Sequence, residues 1–326
     1  CVTVHGTNNL RIENNVTYNT VGHCFFMEDG IETGNEFIRN LAIQTKCHPT
    51  LDCVPTNLAA NGEVNNPYEN PAAYREASFH GGNTLLPSDN TAASFWITNP
   101  DNSYIDNVAA GSDQVGFWLS IPQHPNGAFL GTEISASTWP RRTPLRAFRG
   151  NTAHSNFDGF LIDRHIDQDN TFGLASIPLL PLTDPTDLES EVMETHFEQL
   201  TAWKNRNGGL WGRGDLYVYS NLKLADNAIG MTQAAGDIGS LPFSSRLVDA
   251  LVVGETDNIG NPDTEAEIAA GRSLPREHAD FPIRGYEYYD FGHELTNVTF
   301  RNFEDNETRE AGAISYLLFS NFPVST

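Results

Sequence analysis

One unit recurs along this chain: a short apolar strand, a polar turn, then a glycine and another apolar strand. It reads NNVTYNTVGHCFFME over Asn14–Glu28, DNVAAGSDQVGFWLS over Asp106–Ser120 and GNTAHSNFDGFLID over Gly150–Asp163. It returns as LTAWKNRNGGLWGRG over Leu200–Gly214 and SNLKLADNAIGMTQA over Ser220–Ala234. The aligned glycines are Gly22, Gly116, Gly159, Gly209 and Gly230; the closest pair is 21 residues apart, and intervals of 43 and 50 read as two such periods. A period of this length, built from strands without crossover helices, marks a β-solenoid in which each coil stacks on the next. A β-sandwich also has many short strands, but not one strand–turn–Gly–strand unit repeated.

The expected fold is therefore all-β: a right-handed parallel β-helix forming a single domain over residues 1–326. Irregular stretches at about 46–92, 165–195 and 257–282 would leave the stack as loops. Only DPTDLESEVMETHFEQL reads as a short helix, with Asp184 or Thr186 as its N-cap. The opening CVTVHGTNNL has neither an initiator Met nor a signal-like apolar region, and reads as a piece of a longer chain.

Charge narrows the partners. Acidic residues number 42 against 19 basic ones, a net of -23, which disfavours nucleic acid and anionic membranes. No apolar run is long enough for a membrane span. Cysteines are few: Cys1, Cys24, Cys47 and Cys53. Cys47 and Cys53 bracket a short loop that a disulfide would close, whereas the spacing does not suit zinc. Sequons at Asn15, Asn297 and Asn306 are compatible with secretion. No phosphate loop, nucleophile elbow or H-E-x-x-H motif is present, and no organic cofactor is expected.

Six ordered blocks carry a family likeness. GHCFFMEDGIETGNEFIRNLA, TLLPSDNTAASFWITNPDNSYIDNVAAGS and NTAHSNFDGFLID resemble the β-helix region of the cell-migration-inducing hyaluronidase family. NAIGMTQAAG, LVVGETDNIGNP and FPIRGYEYYDFGHELTNVTFRNF extend the resemblance to about residue 320. The resemblance implies a right-handed parallel β-helix, an extracellular or cell-surface setting, and calcium-dependent cleavage of hyaluronan. Members of that family also carry a preceding G8 domain, which nothing in this sequence resembles.

Three groups of residues are candidates for chemistry. In GHCFFMEDGIETGN, the carboxylates of Glu28, Asp29 and Glu32 suit Ca2+, with His23 beside them; the plain alternative is a solvated acidic turn. In NTAHSNFDGFLID, His154 and Asp158 are the leading acid–base candidates, with His23 at a comparable corner as a further catalytic histidine, Asp163 as a further acid and Asn156 as a sugar contact. An Asn/His corner bonding its own backbone explains the same residues structurally. In GGLWGRGD and FPIRGYEYYD, Trp211, Arg213, Asp215, Arg284 and Tyr286 could hold an acidic sugar by stacking and charge-assisted bonds. Core packing explains Trp211 as well.

The expected activity is extracellular depolymerisation of hyaluronan or a related acidic polysaccharide. Hydrolysis needs two groups about 5–9.5 Å apart. Lytic β-elimination needs a neutralised uronate and a base, and the residues alone leave both routes open. A non-catalytic carbohydrate-binding module is the alternative from another class.

Overall fold

Short strands here are held in register by rings and amides that repeat at the spacing of the coils. The computed structural model describes residues 1–47, 92–163, 165–166, 172–173, 178–234, 245–259, 280–289 and 293–317. Among them, nine strands form one parallel sheet: Val2–Val4, Phe25–Met27, Ala93–Ile97, Val115–Leu119, Asp158–Ile162, Gly208–Arg213, Ile229–Ala234, Ile283–Tyr289 and Ala311–Leu317. The other faces of the coils merge into a 14-stranded sheet, because the strand Arg246–Val253 runs through both of them. Successive coils stacking through parallel ladders make a parallel β-helix.

The core follows from the coil spacing. Phe25, Phe95, Phe117 and Phe160 occupy one inward register position, followed by Leu210, Met231 and Tyr286. Neighbouring strands lie about 4.8 Å apart, which is also a good distance for offset aromatic stacking. Phe25, Phe95 and Phe117 accordingly stack at 4.8 and 4.6 Å. Phe37 stacks on Tyr104 at 4.8 Å on a second wall of the same core.

Asparagine ladders fill the corners. Asn40 donates its backbone N–H and its Nδ2 to Asn107 Oδ1, at 2.9 and 3.0 Å, and Asn107 repeats the pattern onto Asn151. A second ladder runs from Asn156 through Asn205 to Asn227. Asn14, Asn19, Asp106, Asn221 and Asp226 turn the chain with positive φ, a conformation these side chains tolerate best after glycine.

The repeating glycine has a steric cause. A Cβ at Gly159 would lie 2.5 Å from Gly209 O, and one at Gly116 would lie 2.5 Å from Gly159 O. These glycines stand on directly adjacent coils, since Val115–Leu119 pairs with Asp158–Ile162 and that strand with Gly208–Arg213. The 43- and 50-residue intervals are thus single coils lengthened by excursions, not double periods. Register also places Cys24, not Gly22, in the glycine row, and Gly22 serves a turn at φ 81.

Two further expectations are corrected. The segment 184–200 is not a helix: Asp184 Oδ1 accepts from Thr186 N at 2.9 Å in a tight local turn, and Thr195–Glu198 is a coil strand paired with Tyr217–Ser220. The side chain of Asp184 bonds its own turn instead of capping a helix, and Thr195–Glu198 alternates buried and exposed. Among the described residues the α-helix lies in an unforeseen excursion, at Glu133–Ser137, with Thr132 Oγ1 accepting from Ser135 N. Of the expected insertions, residues 48–91, much of 164–177 and 260–279 lie outside the described residues.

A disulfide joins Cys1 to Cys24 on adjacent coils, with Cα atoms 4.5 Å apart. Sequence spacing pointed only to the other pair. Cys47 is disulfide-bonded; Cys53 lies outside the described residues.

Burial sets one pH response. His293 is buried beside Tyr286 and stacks on Tyr288 at 5.6 Å, and neither ring nitrogen has a hydrogen-bond partner. Burial pulls its pKa down to about 4. An unfolded chain takes up this proton near pH 6.5 while the folded one resists it, so stability falls as pH drops from about 6.5 to about 4. The full effect is of order 3 kcal/mol. Asp29 acts oppositely, because a raised carboxyl pKa lowers stability as pH rises from about 4 to about 6. Urea midpoints at pH 5 and 7 for the parent and His293→Phe separate the two: the variant should lose the His293 part and keep the Asp29 part.

Candidate functional site

The carboxyl ends of the nine-stranded sheet bring distant polar residues into one row. At the carboxyl ends of the paired strands, register aligns His5, Glu28, Thr98, Ser120, Asp163 and Arg213 on successive coils, and Ala234 and Tyr289 continue the row. At about 4.8 Å per coil, the row runs roughly 30 Å along the solenoid.

Asp163 and Arg213 form its centre. Arg213 Nε lies 3.0 Å from Asp163 Oδ1, and Trp211 Nε1 donates to Asp163 Oδ2 at 3.1 Å. Trp118 Nε1 donates to the Asp163 carbonyl at 3.1 Å. The guanidinium sits 5.3 Å from the Tyr289 ring, which meets Trp211 edge-on at 6.0 Å. Burial lowers the Arg213 pKa, but Asp163 and Tyr289 outweigh it and leave the value raised. The result is a fixed cation framed by two aromatic rings.

His5, Glu28 and Asp29 form the other end. His5 Nδ1 lies 2.9 Å from Asp29 Oδ2 and 3.1 Å from Glu28 Oε2. Asp29 is buried under the excursion that follows Leu119: its carbonyl accepts from Asn126 N, and a Cβ at Gly127 would collide with its carboxylate. Burial, then Glu32, pushes the Asp29 pKa up to about 6, against the pull of His5. Both oxygens of Glu32 are already engaged by the backbone. Its Oε1 accepts from Gly6 N and its Oε2 from Gly30 N, each at 2.9 Å. His5 went unrecognised in the sequence, although a signal was present: His5 precedes Glu28 by the same 23 residues that separate the disulfide-bonded Cys1 and Cys24.

Other candidates take up scaffold positions. His154 stacks on Trp203 at 4.3 Å in the 14-stranded sheet, and burial, then Lys204, lowers its pKa. Asp158 belongs to the nine-stranded sheet, where its Oδ1 accepts from Asn207 Nδ2 and Gly208 N at 2.8 and 3.0 Å. The pair is thus divided between two sheets. By register it is His23, not His154, that shares the row of Asp158.

His23 is buried against Trp96 at 4.2 Å and Phe26 at 4.7 Å. Along the coils that carry Ala93, Trp96, Val115, Trp118 and Leu161 the outer face of this sheet is itself buried, so an outward position there is not a solvent-facing one. Asn156 is a ladder residue and Tyr286 a core residue, so neither is placed to meet a sugar. Asp215 is buried, and Arg284 pairs with Glu287. All three sequon asparagines, Asn15, Asn297 and Asn306, are exposed, and Asn15 Nδ2 also donates to Asn40 Oδ1.

Residues 1–161 match the family described as CEMIP beta-helix. The human cell surface hyaluronidase CEMIP2 is 33% identical over 100% of this chain. By its β-helix, the chain belongs to the CEMIP family. The mouse cell migration-inducing and hyaluronan-binding protein is 32% identical to this CEMIP β-helix over 98% of the chain, and mouse fibrocystin-L is 26% identical over 79%. The chain spans 24% of the length of the human relative and 24% of that mouse hyaluronan-binding protein. The parallel β-helix expected from the repeat is the fold of this CEMIP region.

Proposed function

We propose that this chain is a hyaluronan-engaging segment of an extracellular or cell-surface polysaccharide depolymerase. The observation that carries the proposal is the Asp163–Arg213 pair framed by Trp211 and Tyr289 at the centre of the edge row. A planar guanidinium recognises a uronate carboxylate through paired hydrogen bonds, and an aromatic edge beside it packs a sugar face. The names of two relatives, a cell surface hyaluronidase and a hyaluronan-binding protein, support the same substrate and setting.

Binding without turnover is the second reading, and one feature favours it. Asp163 is engaged by both Arg213 and Trp211, while His154 and Asp158 stand on different sheets. Incubating the chain with hyaluronan, then sizing the polymer and measuring its affinity, separates the readings. Shortening with a reducing end supports a hydrolase, an ultraviolet-absorbing unsaturated end supports a lyase, and affinity without shortening supports a binding module. Absence of both affinity and cleavage across a panel of acidic glycans would overturn the proposal. Arg213→Lys keeps a charge beside Asp163 but loses the planar fork. It should weaken hyaluronan binding roughly 10- to 100-fold, since a charge-assisted hydrogen bond is worth about 1.5–3 kcal/mol.

A further inference from the structure

We propose that His5, Glu28 and Asp29 form an open binding site for a zinc-class divalent cation. One nitrogen and two carboxylate oxygens, one from each residue, lie within 4.8 Å of one another. The separations of His5 Nδ1 from Asp29 Oδ2 and Glu28 Oε2, 2.9 and 3.1 Å, approach those of ligand atoms around one ion with bonds near 2.0–2.2 Å.

A second observation makes this more than an acidic cluster. Asp29 is 2% exposed; its carboxylate accepts one backbone bond, from Ala128, while its Oδ2 has no hydrogen-bond partner despite the short approach of His5. A buried carboxylate oxygen without a donor is costly. Here it faces an imidazole and a second carboxylate, beside the buried Glu32. A cation among these atoms supplies the missing partner and offsets three neighbouring carboxylates that one imidazole cannot balance.

The donor set also selects the ion. Calcium takes six to eight oxygen ligands, and Glu32 spends both carboxylate oxygens on the Gly6 and Gly30 amides. That leaves an imidazole nitrogen and two carboxylates. Zinc accepts such a mixed set and keeps a further position for solvent when only three protein groups bind it. The side chains of His5 and Glu28 are 49% and 34% exposed, so that position opens outward.

The excursion built on Asn126 and Gly127 holds the buried ligand. Asn126 N donates to the Asp29 carbonyl at 2.9 Å, and the Gly127 backbone lies so close that a Cβ there would meet Asp29 Oδ1. The site is distinct from the Asp163–Arg213 pair, three coils away along the sheet, so either can fail without the other.

Calorimetric titration of the tag-free chain with Zn2+ and, separately, Ca2+ tests the proposal, with Co2+ absorption as an independent reading of imidazole ligation. One equivalent of Zn2+ should bind more tightly than Ca2+. Losing an outer-sphere partner of a metal ligand typically weakens affinity about 10–100-fold, so His5→Ala and Glu28→Gln should each weaken it by roughly 100-fold. Both residues are partly exposed, and unchanged melting of the metal-free variants confirms that they fold. No Zn2+ equivalent sensitive to His5→Ala, or tighter binding of Ca2+ that ignores His5, would overturn the proposal.

Discussion

Asn107→Ala should destabilise the solenoid by about 3–5 kcal/mol, from four lost side-chain bonds at roughly 1 kcal/mol each. Asn107 Oδ1 accepts both the backbone N–H and the Nδ2 of Asn40, while its own Nδ2 donates to Phe37 O and Asn151 Oδ1. Removal leaves the Asn40 N–H buried without that acceptor, and the amides on either side lose the neighbour that polarises them. Asn107→Asp should be no milder at neutral pH, because a carboxylate cannot donate to Phe37 O. Asn221→Gly, at an exposed corner with φ 57, should stay within about 0.5 kcal/mol. Urea unfolding followed by circular dichroism reads all three. Equal losses for Asn107→Ala and Asn221→Gly would show that the ladder contributes no more than an ordinary corner.

Phe117→Ala should cost a similar amount by a different route. The ring is fully buried, stacks on Phe95 at 4.6 Å and meets Phe148 edge-on at 5.4 Å. Truncating a buried phenylalanine leaves a cavity that rigid strands close poorly, at about 3–5 kcal/mol, whereas Phe117→Leu should cost less than about 1.5 kcal/mol. Solenoid coils contact mainly their neighbours, so a weak central coil uncouples the two halves. The alanine variant should therefore unfold over a broader or divided denaturant transition, and the leucine variant in a single one. A single sharp transition for both, at the parent midpoint, would contradict this picture.

Much of the scaffold was legible because its causes are local. Alternation in Gly208–Arg213, glycines at backbone contacts and asparagines at corners each follow from what one residue can do, repeated. The lengths of the coils were not legible. The interval from Gly116 to Gly159 looks like two periods until pairing shows it to be one coil carrying the 122–146 excursion. Thr195–Glu198 reads as helix from its acids and as strand only when Tyr217–Ser220 lies beside it.

The candidate site divides in the same way. Glu28, Asp29, Asp163, Trp211 and Arg213 were visible as chemistry in the chain. Their grouping was not, because contact across coils depends on register, and each excursion shifts register by its own length. His154 and Asp158, close in sequence, diverge because a corner at Ser155, with φ 59, sends them into different sheets. His5 and Glu28, a coil apart, meet because Val4 pairs with Met27. By itself the sequence determined the β-helix, through repeated local preferences for strand, corner and close backbone contact. Only the tertiary structure decided which side chains share an edge and which are covered, since those are set by stacking between coils and by what packs outside them.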